Sequence, residues 1–172
     1  MKRLIISIIL SAMAFVSAYA QDSIKASYDA KFGDTPYVLI SKDSLTLKYI
    51  VKSEVVKEYK IACSKYYGNK HVRGDNKTPE GEFKINEILN SKSLKHDFGD
   101  GKGPVVGAYG PWFLRLDVPG FRDIGIHGTH LPESIGTRAT EGCIRMNNEH
   151  IKELKELIKV GTPVVILADS KE

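Results

Sequence analysis

The sequence predicts a mainly β fold with one clear helix near the C-terminus. Three observations carry that expectation. Apolar and polar residues alternate with period two from Tyr37 to Ser64, short apolar runs alternate with glycine-rich loops through the middle of the chain, and a single helical stripe begins near Asn148.

The segment YVLISKDSLTLKYIVKSEVVKEYKIACS (37–64) breaks at Lys42-Asp43-Ser44 and at Lys52-Ser53-Glu54, as an antiparallel meander with polar turns would. In its third run Tyr59, Ile61 and Cys63 share one face and Lys60, Ala62 and Ser64 the other, so Cys63 reads as a small core residue. Residues 65–80, KYYGNKHVRGDNKTPE, hold the Gly, Asn, Asp and Pro of a long irregular loop. A strand resumes at Gly81-Glu82-Phe83-Lys84-Ile85, and a second glycine-rich stretch, DFGDGKGPVVGAYGP, leads into a strand over Trp112-Phe113-Leu114-Arg115-Leu116. Two such loops ahead of a histidine and a cysteine favour function over disorder. Asp123 to Gly128 reads as a strand ending at a glycine, with Ile124 and Ile126 on one face and His127 on the other. The helix takes Asn147 or Asn148 as its cap, Glu149 and Glu153 at its positive end, and Lys155 and Lys159 at its negative end. Ile151, Leu154, Leu157 and Ile158 form its stripe, and Gly161 stops it. Residues 162–168, TPVVILA, form a buried final strand.

The first twenty residues carry Lys2 and Arg3, an apolar run from Leu4 to Leu10 and the small-residue pattern Ala18-Tyr19-Ala20. They read as a secretory signal peptide cleaved after Ala20, and they are too short and too interrupted by Ser11 and Ser17 for a membrane span. The expected organisation is a signal peptide (1–20), a polar N-terminal lead (21–36), one domain (37–168) and a C-terminal tail (169–172). The mature protein should be exported, periplasmic or in the cell envelope, with no transmembrane segment. Two of the 25 basic residues lie in the leader, leaving 23 against 21 acidic ones. That balance, with no basic run or aromatic-studded basic strand, excludes nucleic acid as an expected partner.

Two cysteines in an exported chain raise the possibility of a bridge. Cys143, however, follows Gly142 just before the helix cap, where backbone N–H groups can stabilise a thiolate or an oxyanion. The glycine would let a substrate carbonyl approach the backbone. A strand-end histidine in the same segment makes a cysteine–histidine pair, in which imidazole takes the thiol proton and sulfur attacks an acyl carbon. His127 and His130 with Cys143 could instead suggest zinc, but no further ligand has suitable spacing. No metal or cofactor is expected.

The stretch IHGTHLPESIGTRATEGCIRMNN resembles the signature of the L,D-transpeptidase catalytic domain, a His-Gly at a strand end followed by a Ser/Thr-x-Gly-Cys motif. Thr78, Pro79, Gly81 and Phe83 resemble that family's Thr-Pro-x-Gly-x-Phe element, and GAYGPWFLRL its strand before the histidine. The resemblance implies a β-sandwich-like, exported domain acting on peptidoglycan stem peptides. It implies Cys143 as nucleophile, His127 as general base oriented by the Gly128 carbonyl, and N–H groups of Gly142 and Cys143 as oxyanion donors. A terminal D-residue would leave, and an amine of a second stem or of a cell-wall-anchored protein would resolve the thioester. Water as acceptor would make an L,D-carboxypeptidase, and loss of the chemistry a wall-binding module of the same fold. Thr140 would bond near the thiolate or simply to its own loop. Arg145 would hold a substrate carboxylate or pack as an ordinary arginine. Tyr109 and Trp112 would line the donor groove or belong to the core. Glu141 departs from the histidine many members carry there, and a carboxylate beside Cys143 would raise its pKa if it points inward.

Overall fold

In the computed structural model, residues 22–170 are described; the expected signal peptide lies outside them. The meander forms as three antiparallel strands, β1 (Tyr37–Ser41), β2 (Thr46–Val51) and β3 (Glu54–Ser64). They are followed by β4 (Gly81–Asn90), a hairpin of β5 (Lys95–His96) and β6 (Val105–Val106), β7 (Trp112–Leu116), β8 (Gly125–His127), β9 (Arg138–Thr140), β10 (Ile144–Met146) and β11 (Pro163–Ile166). The helix α2 spans Asn148–Leu157.

Two strands serve as corners. Residues 81–84 of β4 pair with β11, and beyond a register shift at Ile85/Glu87 the same strand pairs with β7. At the far side β3 pairs with β2 over most of its length and then, through Ile61 and Ala62, with β10. One layer therefore runs β3-β2-β1-β11-β4 and the other β4-β7-β8-β10-β3, a sandwich whose edges are joined by strands that change sheets. Val38, Ile40 and Leu47 from the first layer meet Leu114, Ile126 and Ile144 from the second in one core, together with Tyr59, Ile61 and Cys63. Cys63 and Cys143 are both free.

The helix α2 covers the second layer with Ile151 and Leu154. Asn147 occupies the cap position without a side-chain bond, and the helix ends at Ile158, three residues short of the expected Gly161. Its terminal carbonyl, Leu157 O, accepts the Tyr49 hydroxyl at 3.0 Å, so a strand side chain supplies the stop.

Two expectations are corrected. The stretch read as a polar lead is helical over residues 22–32 (α1), a second helix among the described residues. Tyr28 and Phe32, one turn apart, close over Tyr37, Leu39, Ile50 and Val165 on the outer face of the first layer. Gly33, at φ +55°, ends α1 with its N–H on Asp29 O. With two aromatics carrying its buried face, α1 falls below what periodicity can show.

The tail expected from residue 169 also starts too early. The Asp169 side chain is wholly buried, paired with the equally buried Lys42 at 2.8 Å and with Arg138, and it accepts the Gly68 N–H at 2.8 Å. Burial alone would raise its pKa, but Lys42, Gly68 and Arg138 outweigh burial and hold it low. Lys42 also reaches Glu80 at 2.6 Å, so this cluster ties the C-terminus to the 65–80 loop and to β9. Asp169→Asn would leave two cations without their shared carboxylate. It is expected to lower unfolding free energy by about 3–5 kcal/mol, measured by denaturant titration; a loss under about 1 kcal/mol would mean the cluster is solvated.

Candidate active site

β8 and β10 lie side by side and parallel, with Arg145 opposite His127. Cys143, the residue before β10, thereby falls level with Gly125 at the start of β8, and both it and His127 line a cleft of about 740 Å³. Lys70, Arg73, His96, Phe98, Tyr109, Asp123, Thr140, Glu141 and Arg145 are among the cleft's other walls.

His127 is buried, its ring stacked on Phe113 at 5.5 Å and met edge-on by Tyr109 at 5.0 Å. Its Nδ1 lies 2.5 Å from Gly128 O. A carbonyl can only accept, so Nδ1 carries the proton and Nε2 keeps the free lone pair of a base. Burial drives the imidazole pKa down to about 3, against the opposing pull of the Gly128 carbonyl, and Arg145, His96 and His130 push it further down.

Cys143 is partly exposed, and its Sγ–H donates to Asp123 O at 3.2 Å. Burial raises the thiol to about 11 and Asp123 adds to the rise, while the backbone N–H of Gly125 and the charges of Arg145 and Lys70 oppose it. The resting pair is thus neutral thiol and neutral imidazole, so a proton must move as sulfur attacks.

In the turn before Cys143 the second of the two expectations for Thr140 holds: its hydroxyl bonds its own loop. The Thr140 hydroxyl donates to Cys143 O at 2.6 Å and accepts the Gly142 N–H at 3.3 Å. Thr140 therefore closes the turn, and the Gly142 N–H is directed at it; the Cys143 N–H is left without a hydrogen-bond acceptor among the described residues. Gly142 has φ +140°, and a Cβ there would sit 2.8 Å from Lys77 O. The glycine is needed because the 65–80 loop packs against it, a closer constraint than room for substrate.

Arg145 is buried, with Nη1 on Ser134 Oγ at 2.9 Å and Nε without a partner. It lines the cleft, and no carboxylate pairs with it among the described residues. Tyr109 lines the cleft, and burial raises its phenol to about 12, which keeps its O–H a donor. Trp112 is not a cleft residue. It packs against the core, and Lys155 of α2 lies over its ring at 4.8 Å.

Other groups emerge only in three dimensions. His96 on β5 bonds both Tyr109 Oη (2.9 Å) and Glu141 (3.2 Å). Asn148, read as a helix cap, straps the chain after the histidine, accepting the Thr129 N–H at 2.8 Å and donating to Thr129 O at 2.9 Å. In the 65–80 loop, burial would raise the Asp75 carboxyl, but Lys70 and the N–H groups of Val72, His71 and Lys77 hold it well below the usual range.

A sequence model for the L,D-transpeptidase catalytic domain (YkuD) matches residues 35–166. YqjB of Bacillus subtilis strain 168, whose name places it among the L,D-transpeptidases, is 33% identical over 138 residues, covering 79% of this chain and 73% of YqjB. The solved catalytic domain of an E. faecium L,D-transpeptidase superposes with a TM-score of 0.58 at 22% identity, over 78% of this chain and 98% of that one. Pgp2 of Campylobacter jejuni, a helical cell shape determining protein, superposes with a TM-score of 0.59 at 21% identity, over 86% of this chain and 55% of Pgp2. At those identities the two structures speak for the fold.

Proposed function

The chain belongs to the L,D-transpeptidase catalytic domain family, and on that premise we propose that residues 37–168, extended through Asp169, form an exported cysteine acyltransferase acting on peptidoglycan stem peptides. The observation that carries this reading is the buried His127, its Nδ1–H held by Gly128 O, in one cleft with Cys143, which immediately precedes the neighbouring strand. Family membership supports the substrate class. The leader-like first twenty residues support export, and no helix among the described residues is long and apolar enough to cross a membrane.

In the proposed reaction His127 Nε2 takes the Cys143 proton as sulfur attacks the carbonyl before the terminal D-residue. The oxyanion is met by the Cys143 N–H, the donor left over once Thr140 takes that of Gly142. His127 returns the proton to the departing D-amino acid, leaving a thioester. An acceptor amine then attacks the carbonyl and gives its proton to His127. The C–S bond breaks, and the proton restores the thiol. Arg145, which lines the cleft, holds a carboxylate of the donor. Incubation with disaccharide-tetrapeptide, followed by mass spectrometry, should yield crosslinked dimer or exchanged terminal residue. Tripeptide alone would shift the reading to an L,D-carboxypeptidase, and unchanged substrate would leave a wall-binding module.

A further inference from the structure

We infer that the Glu141 carboxylate, steered by His96, binds the protonated amine of the acyl acceptor. This rests on the transpeptidase reading and identifies where its second substrate sits. Glu141 lies two residues before Cys143 and faces the same cleft. It is exposed enough to meet a ligand, and His96 Nε2 holds it at 3.2 Å. His96 Nε2–H donates to Glu141 while Nδ1 bonds the Tyr109 hydroxyl, so the ring is held from both sides and fixes the direction of the carboxylate.

Lys65, Lys70, Arg73, Arg122 and Arg145 line the cleft; Lys70 pairs with Asp75, and Arg73 pairs with Asp123 at 2.5 Å. Asp123 and Glu141 are the two carboxylates lining the cleft, and among the described residues no lysine or arginine pairs with Glu141. An exposed carboxylate held in place beside the nucleophile, with no lysine or arginine on it, can receive a positive group. The donor's carboxylate has Arg145 available. The acceptor, a primary amine that arrives as an ammonium near neutral pH, has Glu141. Held there, it gives one proton to solvent; the free amine then attacks the thioester and its second proton passes to His127. Its retention raises the local concentration of amine over water, so Glu141 sets the partition between aminolysis and hydrolysis.

The test reads that partition from one acyl-enzyme pool, so changes in acylation rate cancel. Tetrapeptide donor is supplied with increasing concentrations of a stem peptide bearing a side-chain amine, a free D-amino acid or a lysine-containing peptide. The ratio of amide product to hydrolysed tripeptide is measured by mass spectrometry. Glu141→Gln is expected to lower the ratio about tenfold at sub-saturating amine, and His96→Gln to lower it less. Hydroxylamine, an uncharged nitrogen nucleophile, should keep its ratio in both variants. The arm with the largest fall identifies the acceptor. An unchanged ratio in Glu141→Gln, or an equal fall with hydroxylamine, overturns the inference while leaving the enzyme reading intact. Absence of any acyl-enzyme in the wild-type protein overturns both.

Discussion

Cys143→Ala is expected to reduce acyl transfer by at least about 10⁴-fold while leaving the fold in place. The thiol makes one side-chain hydrogen bond, to Asp123 O, and is partly exposed, so its removal should cost about 1 kcal/mol or less of stability. Turnover in steady-state assays and thermal unfolding of the same preparation check the two halves together. Cys143→Ser tests the sulfur more narrowly, because a hydroxyl in the same place is far harder to ionise beside a neutral imidazole. Cys63→Ser is the opposite control. It places a hydroxyl in the main core, where the present sulfur bonds Ser64 O at a distance of 4.0 Å. A loss of about 1–3 kcal/mol with turnover retained is expected there. Activity within tenfold of wild type in Cys143→Ala would assign the chemistry to another group.

That contrast also shows which parts of the molecule sequence can reveal. The meander, β7, the end of β8 and α2 announce themselves because burial on one face imposes a period on consecutive residues. Cys63 could be placed in the core from the alternation of β3 alone. Helix α1 could not be read, since Tyr28 and Phe32 gain their partners from β1, β2 and β11. The β5–β6 hairpin is two residues on each side, below any detectable period. In the cleft, Cys143 and His127 lie close in sequence and share a motif. His96 contacts Glu141 from 45 positions away, a pairing that no local pattern encodes. Trp112 shows the converse error: an aromatic on a strand declares burial but not the side on which it is buried. Thr140 and Gly142 could be located, yet only the bonds within the turn show that one closes it and the other packs on Lys77.

His127→Gln should lower acyl transfer by about 10²–10⁴-fold, the usual contribution of a positioned base. The pH behaviour makes this prediction more specific than simple loss. With the imidazole near 3 and the thiol near 11, both groups stay neutral across the intervening range. The kcat/KM of the wild-type enzyme is therefore expected to show no inflection at the ordinary histidine value of 6.5 attributable to His127. Stability should respond to the same shift. Below pH 6.5 the unfolded chain takes up a proton at His127 that the folded chain refuses. The stabilisation is therefore whole above 6.5 and is lost progressively as pH falls towards 3, with a slope of at most about 1.4 kcal/mol per unit. Equilibrium unfolding at stepped pH should show a steeper acid loss in wild type than in His127→Gln, whose side chain cannot titrate. Parallel acid curves for the two proteins, or a wild-type kinetic inflection near 6.5 that disappears in the variant, would mean that the imidazole is solvated and readily protonated. In that case His127 would take the thiol proton only above about pH 6.5, and activity would fall below it as the imidazole lost its free lone pair.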